Sequence, residues 1–269
     1  MPSDSISPLP AARMISGVQI HPIRLAELLA WIEQAIHAQQ RVFVAYANIH
    51  AINLAQQHTS FREVLNSADV VFCDGQGLRV GAALLGYSIP ERFTPPDWID
   101  ALAASCTAHG ARVFLLGGRP GVAEAAARRL SDRHPGLHLA AHHGYLRDSP
   151  NDEKSALDAI SAFQPSLLLV GMGMPLQECW IAAHREQIAA PVVMTVGALF
   201  DYLAGEVVRG PHWLTDNGFE WLCRLWYEPR RLWRRYLLGN PMFLFLIARQ
   251  WIAERRARII PRSVYRKRQ

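Results

Sequence analysis

Short apolar runs separated by longer amphipathic segments dominate the chain between residues 42 and 196. Six runs are four or five residues long and rich in residues that favour strands; they are Val42–Tyr46, Val70–Cys73, Val113–Leu116, Leu137–Ala141, Leu167–Val170 and Val192–Val196. Segments with helical spacing lie between them, for example Trp98–Cys106 and Val122–Leu130. Because strands and helices alternate, the sequence predicts an α/β fold with a doubly wound, mainly parallel, Rossmann-like sheet.

After about residue 211, segments rich in tryptophan and arginine replace this pattern. Residues 219–238 fit two short amphipathic helices, and Pro229 suits the first turn of the second. Met242–Ile247 is a strongly apolar run, far too short to span a bilayer. Aromatic and arginine side chains beside such a run are typical of a helix lying in a membrane interface. An ordinary helical cap that packs on the sheet is the alternative, and the two can coexist.

We therefore expect four parts along the chain. They are a disordered, Pro/Ser-rich segment over 1–13, the α/β domain over 14–210, a helical appendage over 211–253 and a mobile basic tail over 254–269. No apolar stretch approaches the roughly 18 residues that cross a bilayer, and the first forty residues hold no signal-peptide pattern. These observations predict a cytoplasmic protein, attached peripherally to the inner face of the membrane by its appendage.

Charge is distributed unevenly along the chain. The net charge is +5, but residues 222–269 hold 13 basic and 2 acidic residues, whereas the rest holds 15 and 21. Of the 28 basic residues, 26 are arginine, whose planar guanidinium can bind phosphate through two hydrogen bonds. An acidic body with a basic end predicts an anionic partner: lipid headgroups, nucleic acid or a phosphorylated substrate.

Glycine and small polar residues follow five of the six predicted strands, where ligands of open α/β sheets bind. These positions are Asn48, Asp74–Gly77, Gly117–Gly121, Gly171–Gln177 and Gly197–Asp201. Glycine lets the backbone approach phosphate oxygens and leaves amide groups free to bind them. The pattern predicts a phosphate-rich ligand, with Gly117, Gly118, Gly171 and Gly173 on its phosphates.

The sequence lacks the binding motifs for several classes of ligand. The glycine spacings do not fit a dinucleotide site, and no P-loop is present. No Asp-x-Asp pair could hold a divalent metal, His142–His143 lack ligand spacing, and the four cysteines are too scattered for a zinc site or a disulfide framework. We therefore expect no metal and no cofactor, with arginine and backbone amides neutralising the phosphates.

Asp74 is the carboxylate that we favour as a general base. It ends an apolar strand, where partial burial raises the proton affinity of a carboxylate; an Asx turn or helix N-cap is the structural alternative. Arg92 could instead form a surface ion pair with Glu91 or Asp97. Glu178, next to Gln177 at the start of a helix, could serve as a cap.

Several stretches also match a known family in order. They are Asn-Ile-His from Asn48, Leu-Asn-Ser-Ala-Asp-Val-Val-Phe-Cys-Asp-Gly from Leu65, Pro-Glu-Arg-Phe-Thr from Pro90, Leu-Leu-Gly-Gly-Arg-Pro-Gly-Val-Ala from Leu115, Gly-Met-Pro-Leu-Gln-Glu-x-Trp from Gly173, Val-Gly-Ala-Leu-Phe-Asp from Val196, and Glu-Trp-Leu-Cys-Arg-Leu, Glu-Pro-Arg-Arg-Leu and Arg-Arg-Tyr after Glu220. Over about residues 15–247 the chain resembles the WecG/TagA/CpsF family of bacterial glycosyltransferases (glycosyltransferase family 26).

The resemblance implies an inverting, metal-independent transfer from a UDP-sugar to a polyprenyl-diphosphate-linked saccharide in cell-surface polysaccharide synthesis. It implies that Asp74 is the catalytic base and that Asn48, Arg92 and Gln177 line the substrate pocket. It also implies that appendage arginines close over the donor diphosphate; these are Arg224, Arg231 and Arg234. A homo-oligomer is one option that the family offers.

Two departures from the family pattern lie near the presumed sugar site. Tyr46 replaces a common threonine, and Thr94-Pro-Pro-Asp97 replaces a Thr-Gly-x-Asp segment. We therefore count Tyr46, Thr94 and Asp97 as substrate-binding candidates and expect a donor of the N-acetylmannosamine type or glucose. Two other classes stay open: a catalytically silent, membrane-attached scaffold, and a nucleic-acid-binding module, against which the acidic body argues.

Overall fold

A computed structural model describes residues 6–147, 150–207, 220–227 and 229–259. Its strands are β1 Arg13–Ile15, β2 Val18–Ile20, β3 Val42–Ala47, β4 Val70–Cys73, β5 Arg112–Gly117, β6 His138–His142, β7 Leu167–Gly171 and β8 Val192–Thr195. β1 and β2 form an antiparallel hairpin, and the other six form a sheet in the order β4-β3-β8-β7-β5-β6, in which every pair is parallel. The predicted α/β class and its six strands are confirmed, with ends shifted by at most one residue.

Helices connect these strands and extend the chain beyond them. They are α1 Leu25–His37, α2 Ile49–Gln57, α3 Thr59–Asn66, α4 Gln76–Leu84, α5 Pro95–Ala108, α6 Val122–Arg133, α7 Pro150–Phe163, α8 Leu176–His184, α9 Leu199–Ala204, α10 Glu220–Tyr227, α11 Pro229–Trp233 and α12 Gly239–Ile259. A π-helical turn over Arg234–Leu238 joins α11 to α12.

The sheet is covered by helices on both faces. All six residues of β3 are buried, and they alternate between two hydrophobic clusters. One cluster includes side chains of α2, α3, α8 and α12, and the other includes side chains of α1, α5, α6 and α9. The continuous apolar runs in the sequence follow from this burial, since each strand must present hydrophobic side chains to both layers.

Neighbouring strands β3 and β8 lead to helices on opposite faces of the sheet. α2, which follows β3, packs in the first cluster, whereas α9, which follows β8, packs in the second. The two connections therefore separate at the carboxyl ends of these strands and leave a crevice between them. In doubly wound sheets this switch point is where ligands bind.

The amino-terminal segment differs from the prediction of disorder over residues 1–13. Ile6 and Leu9 pack against the second cluster, the backbone amide of Ser7 donates to Gln34, and Arg13 begins β1. Residues 6–13 are therefore ordered in this structure, because their apolar side chains find a place beside α1. Residues 1–5 lie outside the described part.

The carboxy-terminal end contains the two predicted short helices and then one long helix. α12 begins before the apolar run 242–247 and continues to residue 259, so the helix includes the first six residues of the predicted basic tail. Phe243, Leu246 and Ile247 are buried in the first cluster, which shows that this helix packs on the sheet layer. Residues 260–269 lie outside the described part. Within the described residues, no helix combines the length and the hydropathy needed to cross a membrane.

Candidate active site

A cavity of about 450 Å³ opens at the switch point. Its floor comes from the ends of β3 and β4, and its sides come from the starts of α2, α4 and α5, the β8–α9 connection, α10, the π-helical turn and α12. Among its lining residues in the described part of the chain, Asp74, Arg92 and Arg235 carry charge and His50 is the one histidine. Phe243 and Leu244 contribute to an apolar wall. The cavity therefore combines a charged centre with an apolar side.

Asp74 lies beside Asn48 because their strands are paired. Ala47 and Cys73 are partners in the β3–β4 ladder, and the next residue on each strand enters the cavity. Asn48 is the N-cap of α2: its Oδ1 accepts from the Ala51 amide at 3.1 Å, and its Nδ2 donates to Asp74 Oδ2, also at 3.1 Å. The cap fixes the orientation of the Asn48 amide and hence the direction of its hydrogen bond to Asp74.

Asp74 is not at the N-cap position of a helix. The N-cap of α4 is the following residue, Gly75, whose φ of 101° lies in the region that favours glycine. This turn directs Asp74 into the cavity, where the side chain is half-buried. Gly75 rather than Asp74 therefore occupies the N-cap position, and the carboxylate is placed where a ligand could meet it.

Arg92 and Thr94 line the cavity, and Asp97 holds both of them. Asp97 Oδ2 accepts from the Thr94 amide at 2.8 Å and from its hydroxyl at 2.9 Å, and it lies 3.6 Å from Arg92 Nη1. The Arg92 side chain is only 13% exposed, so this is a partly buried pair rather than the surface pair considered from sequence. Asp97 itself does not line the cavity, and its position indicates support of the two residues that do.

Gln177 does not reach the cavity, although the family resemblance implies a substrate contact for it. Its side chain is fully buried, and Oε1 accepts from the amides of Gly173 at 3.2 Å and Gly197 at 3.1 Å. These two amides belong to the loops after β7 and β8. In this structure Gln177 therefore links two strand-end loops and is not among the lining residues of the cavity, while its contact with substrate stays a prediction.

Glu178 is buried beside Gln177 and beneath the cavity. Gln177 Nε2 donates to Glu178 Oε1 at 2.7 Å, and Glu178 Oε2 has no hydrogen-bond partner among the described residues. Burial raises the pKa of Glu178 to about 7. Burial also raises the pKa of the Tyr46 hydroxyl, with the charges of Asp74 and Glu178 adding to the effect. Tyr46 lines the cavity as predicted and stays a neutral phenol.

His50 and Arg235 are lining residues that sequence reasoning did not select. Burial lowers the pKa of His50 to about 4, with the nearby charge of Arg235 as the second cause, so the imidazole is neutral at physiological pH. Arg235 comes from the π-helical turn, and its guanidinium lies 5.7 Å from the Tyr236 ring centroid, another part of the cavity wall. The match of Asn-Ile-His to the family was the available signal for His50.

The arginines selected from the appendage have different outcomes. Arg234 is exposed, with its guanidinium 5.3 Å from the Trp233 ring centroid, and it does not line the cavity; its neighbour Arg235 does. The side chains of Arg224 and Arg231 lie outside the described part. The appendage thus supplies an arginine to the cavity, but one position later than predicted, because the π-helical turn changes which side chains face inward.

Four glycines were expected around the donor phosphates, and three of them, Gly117, Gly118 and Gly171, pack against neighbouring backbone in this structure. Gly117, Gly118, Gly171 and Gly173 are absent from the described cavity lining. The Gly118 amide donates to the Gly171 carbonyl at 3.1 Å, and a Cβ on Gly117 would collide with that carbonyl. The strand-end glycines of β5 and β7 therefore permit a close approach of two loops, and their contact with phosphate stays a prediction.

An open parallel sheet with a charged cavity at its switch point is the architecture of α/β proteins that bind phosphorylated ligands. Residues 13–257 match the model of the glycosyl transferase WecG/TagA/CpsF family. The chain belongs to this family. It is similar to curated proteins of Staphylococcus aureus strains NCTC 8325 / PS 47 and COL, each 30% identical over 215 residues, which is 80% of this chain and 83% of the relative. Both relatives are named N-acetylglucosaminyldiphosphoundecaprenol N-acetyl-beta-D-mannosaminyltransferase.

Proposed function

We propose that this protein is an inverting glycosyltransferase that moves a sugar from a UDP-sugar to a polyprenyl-diphosphate-linked saccharide and needs no metal ion. The observation that carries the proposal is a cavity in which the Asp74 carboxylate faces the same space as the guanidinium groups of Arg92 and Arg235. A carboxylate can accept a proton from a sugar hydroxyl, and guanidinium groups can stabilise a diphosphate leaving group.

In the proposed step, Asp74 takes the proton of the acceptor hydroxyl while that oxygen forms a bond to the anomeric carbon of the donor sugar. The bond from this carbon to the diphosphate oxygen breaks on the opposite face, and its electron pair leaves with UDP. Attack and departure on opposite faces invert the anomeric configuration. Asn48 is a positioning residue in this scheme, since its amide holds one oxygen of Asp74.

Arg92 and Arg235 are the groups that we assign to the leaving diphosphate. Arg92 forms an ion pair with Asp97, and Arg235 reaches the cavity from the π-helical turn. Charge-assisted hydrogen bonds to phosphate are about twice as strong as neutral ones. Neutral His50 can add a hydrogen bond without adding a second positive charge beside Arg235.

The relatives are named for a lipid-linked acceptor and for the sugar that they transfer. We propose N-acetylglucosaminyl-diphosphoundecaprenol, or a closely similar lipid-linked saccharide, as acceptor. The donor is either UDP-N-acetylmannosamine or UDP-glucose, because Tyr46 and Pro95 both line the cavity at positions where this chain departs from the family pattern. A tyrosine is much larger than a threonine, so it changes the space left for the sugar.

An anionic membrane surface is the proposed second partner. The carboxy-terminal helices expose large apolar side chains next to the cavity mouth; Trp226, Leu238 and Phe245 are 85%, 60% and 61% exposed. Leu244 is both exposed and part of the cavity wall. Apolar groups interspersed with arginines suit insertion at the headgroup level. Attachment there would bring the lipid-linked acceptor to the cavity along its apolar wall.

A transfer assay tests the enzymatic proposal. The full chain is incubated with each UDP-sugar and a polyprenyl-diphosphate-linked N-acetylglucosamine, in buffer with EDTA, and the product is read by mass spectrometry. We expect the mass of one added hexose or N-acetylhexosamine. No product with any donor, in the presence of either EDTA or added magnesium, would contradict transferase activity and favour a silent scaffold.

Two adjacent arginines provide a matched pair for the diphosphate assignment. Arg235→Gln should weaken UDP binding about 10- to 100-fold, as expected from losing a charged hydrogen bond. Arg234→Gln removes the same charge from a side chain outside the cavity and should leave binding within twofold. Calorimetric titration with UDP measures both variants. Equal losses in the two variants would show that total charge, rather than a contact in the cavity, controls binding.

Liposome sedimentation tests the membrane partner. Phe245→Ser together with Leu238→Ser should reduce binding to vesicles of anionic lipid, whereas Tyr145→Ser, which alters a 47%-exposed aromatic side chain elsewhere, should not. Unchanged sedimentation of the double variant would contradict this surface as the membrane contact. Titration with DNA in the same salt series separates lipid binding from general attraction to phosphate.

A further inference from the structure

Far from the cavity, the ends of two helices bring together one carboxylate and two imidazoles. Glu33 and His37 lie four positions apart on α1, and His109 follows the last residue of α5. Their ligand atoms all lie within 4.8 Å of one another, the one such cluster of three or more in the described part of the chain. We propose that Glu33, His37 and His109 form a zinc-binding site that ties α1 to α5.

The three side chains are already oriented towards a common point. Helical spacing of four residues places Glu33 and His37 on the same face of α1. His109 Nε2 lies 3.1 Å from Glu33 Oε1, which is close to the separation of about 3.3 Å between two ligands of one tetrahedral zinc ion. The His37 and His109 rings meet edge to face, with centroids 5.0 Å apart. Both imidazoles are exposed, so a small side-chain rotation can close the remaining distance.

Neighbouring groups orient two of the ligands. His109 Nδ1 lies 2.9 Å from the Ser105 carbonyl, so this nitrogen carries the hydrogen and Nε2 is left to bind a metal. The hydroxyl of Ser105 donates to the second oxygen of Glu33 at 3.3 Å. Hydrogen bonds of this kind from a histidine to a carbonyl and to a ligating carboxylate are the usual support around zinc ligands.

The ligand set favours zinc over the hard cations. Two imidazole nitrogens and one carboxylate oxygen, with water in the fourth position, is a combination that zinc accepts, whereas magnesium and calcium prefer oxygen ligands. The sequence did not reveal this site, because His109 is 72 residues from His37 and only the packing of α1 on α5 brings them together.

The expected consequence is stability rather than catalysis. α5 has 14 residues, and its amino-terminal end supplies Thr94 and Pro95 to the active-site cavity, so the zinc site lies about 20 Å away at the other end of the helix. A ligand that binds only the folded state raises its stability. Zinc would therefore hold the pair of helices together without contact with the substrates.

Zinc titration of the full, untagged chain tests this proposal. The protein is stripped with EDTA, dialysed and titrated with zinc chloride by calorimetry, and its melting temperature is measured with and without zinc. We expect one zinc ion per chain and a melting temperature higher by about 5–10 °C when free zinc exceeds the Kd a hundredfold. His37→Ala and His109→Ala should each weaken binding at least tenfold.

A matched variant guards against general binding of zinc to surface histidines. His138→Ala removes an exposed imidazole from β6 and should keep both the affinity and the melting shift. Transfer activity of His37→Ala should equal that of the unaltered chain. No binding by the unaltered chain, or equal binding by all three histidine variants, would overturn the proposal and leave Glu33 and His109 as an ion pair only.

Discussion

Replacing Gln177 with methionine separates the two roles considered for this residue. Oε1 of Gln177 accepts from two backbone amides, those of Gly173 and Gly197, inside a fully buried site. Methionine has a similar length and fits the space, but it offers no comparable acceptor. Each amide left without a partner costs about 1–3 kcal/mol, so we expect the free energy of unfolding to fall by about 2–6 kcal/mol.

Urea unfolding followed by tryptophan fluorescence measures this loss, and the KM for the UDP-sugar is measured in parallel. Gln187→Met is the control, since it makes the same chemical change at an exposed position of the same region and should alter stability by less than about 0.5 kcal/mol. We expect Gln177→Met to lose this free energy of unfolding while its KM for the UDP-sugar stays within a few-fold of the KM of the unaltered chain. Unchanged stability with a KM raised tenfold or more would refute the structural role and restore Gln177 as a substrate contact.

Three further predictions concern buried groups around the cavity. The pKa of Glu178 rises from 4.5 to about 7 on folding, so between these pH values the folded state keeps a proton that the unfolded state loses. The free energy of unfolding should therefore fall by about 3 kcal/mol from pH 4.5 to pH 7. Glu178→Gln should remove this pH dependence in a series of urea titrations, and an unchanged pH dependence would contradict the buried carboxyl as its cause. Asn48→Ala should lower the free energy of unfolding by about 1 kcal/mol and should also lower kcat. Asn48→Ser keeps the helix cap and should lower only kcat. Equal kcat values for the Asn48→Ser variant and the unaltered chain would show that the contact with Asp74 is unimportant. Phe243→Ala should lower the free energy of unfolding by about 3–5 kcal/mol because that side chain is 1% exposed. Phe245→Ala, on the exposed face of the same helix, should change it little. Similar losses in the two variants would argue against packing of the helix on the α/β domain.

The sheet could be predicted because burial on both faces leaves a strong mark on the sequence. The run Val70–Cys73, for example, is apolar throughout, since each of its side chains lies in one cluster or the other. The β1–β2 hairpin left no comparable signal, because strands of three residues are too short to show a period. The contacts of the amino-terminal segment left no signal either, because they come from two separated apolar residues, Ile6 and Leu9.

The candidate site was predictable where it depends on adjacent strands. Asn48 and Asp74 follow the paired strands β3 and β4, so strand ends alone brought them together. The glycines at the ends of β5 and β7 do not line the cavity, because the sheet order places these strands on the other side of β8 from β3 and β4. Strand order depends on packing between distant parts of the chain, and no local pattern records it.

Residues from the carboxy-terminal helices show a second limit of sequence reasoning. Arg234 and Arg235 are chemically identical neighbours, and a step of one residue turns a helix by about 100°. Which of them enters the cavity depends on the π-helical turn, which has no pattern in the sequence that we could recognise. The same holds for the zinc-site ligands, whose meeting depends on how α1 lies on α5.

The rate of the Asp74→Asn variant in the transfer assay tests the central claim most directly. Both proteins, with and without the Asp74→Asn change, carry His37→Ala and are assayed in EDTA. Neither can then bind zinc at the proposed site, so zinc-dependent stability cannot account for a difference in rate. The account predicts full activity of the parent and a kcat lower by about 10²- to 10⁴-fold for Asp74→Asn, with UDP affinity unchanged. A kcat within a few-fold of the parent, or a parent that is inactive until magnesium or manganese is added, would contradict it.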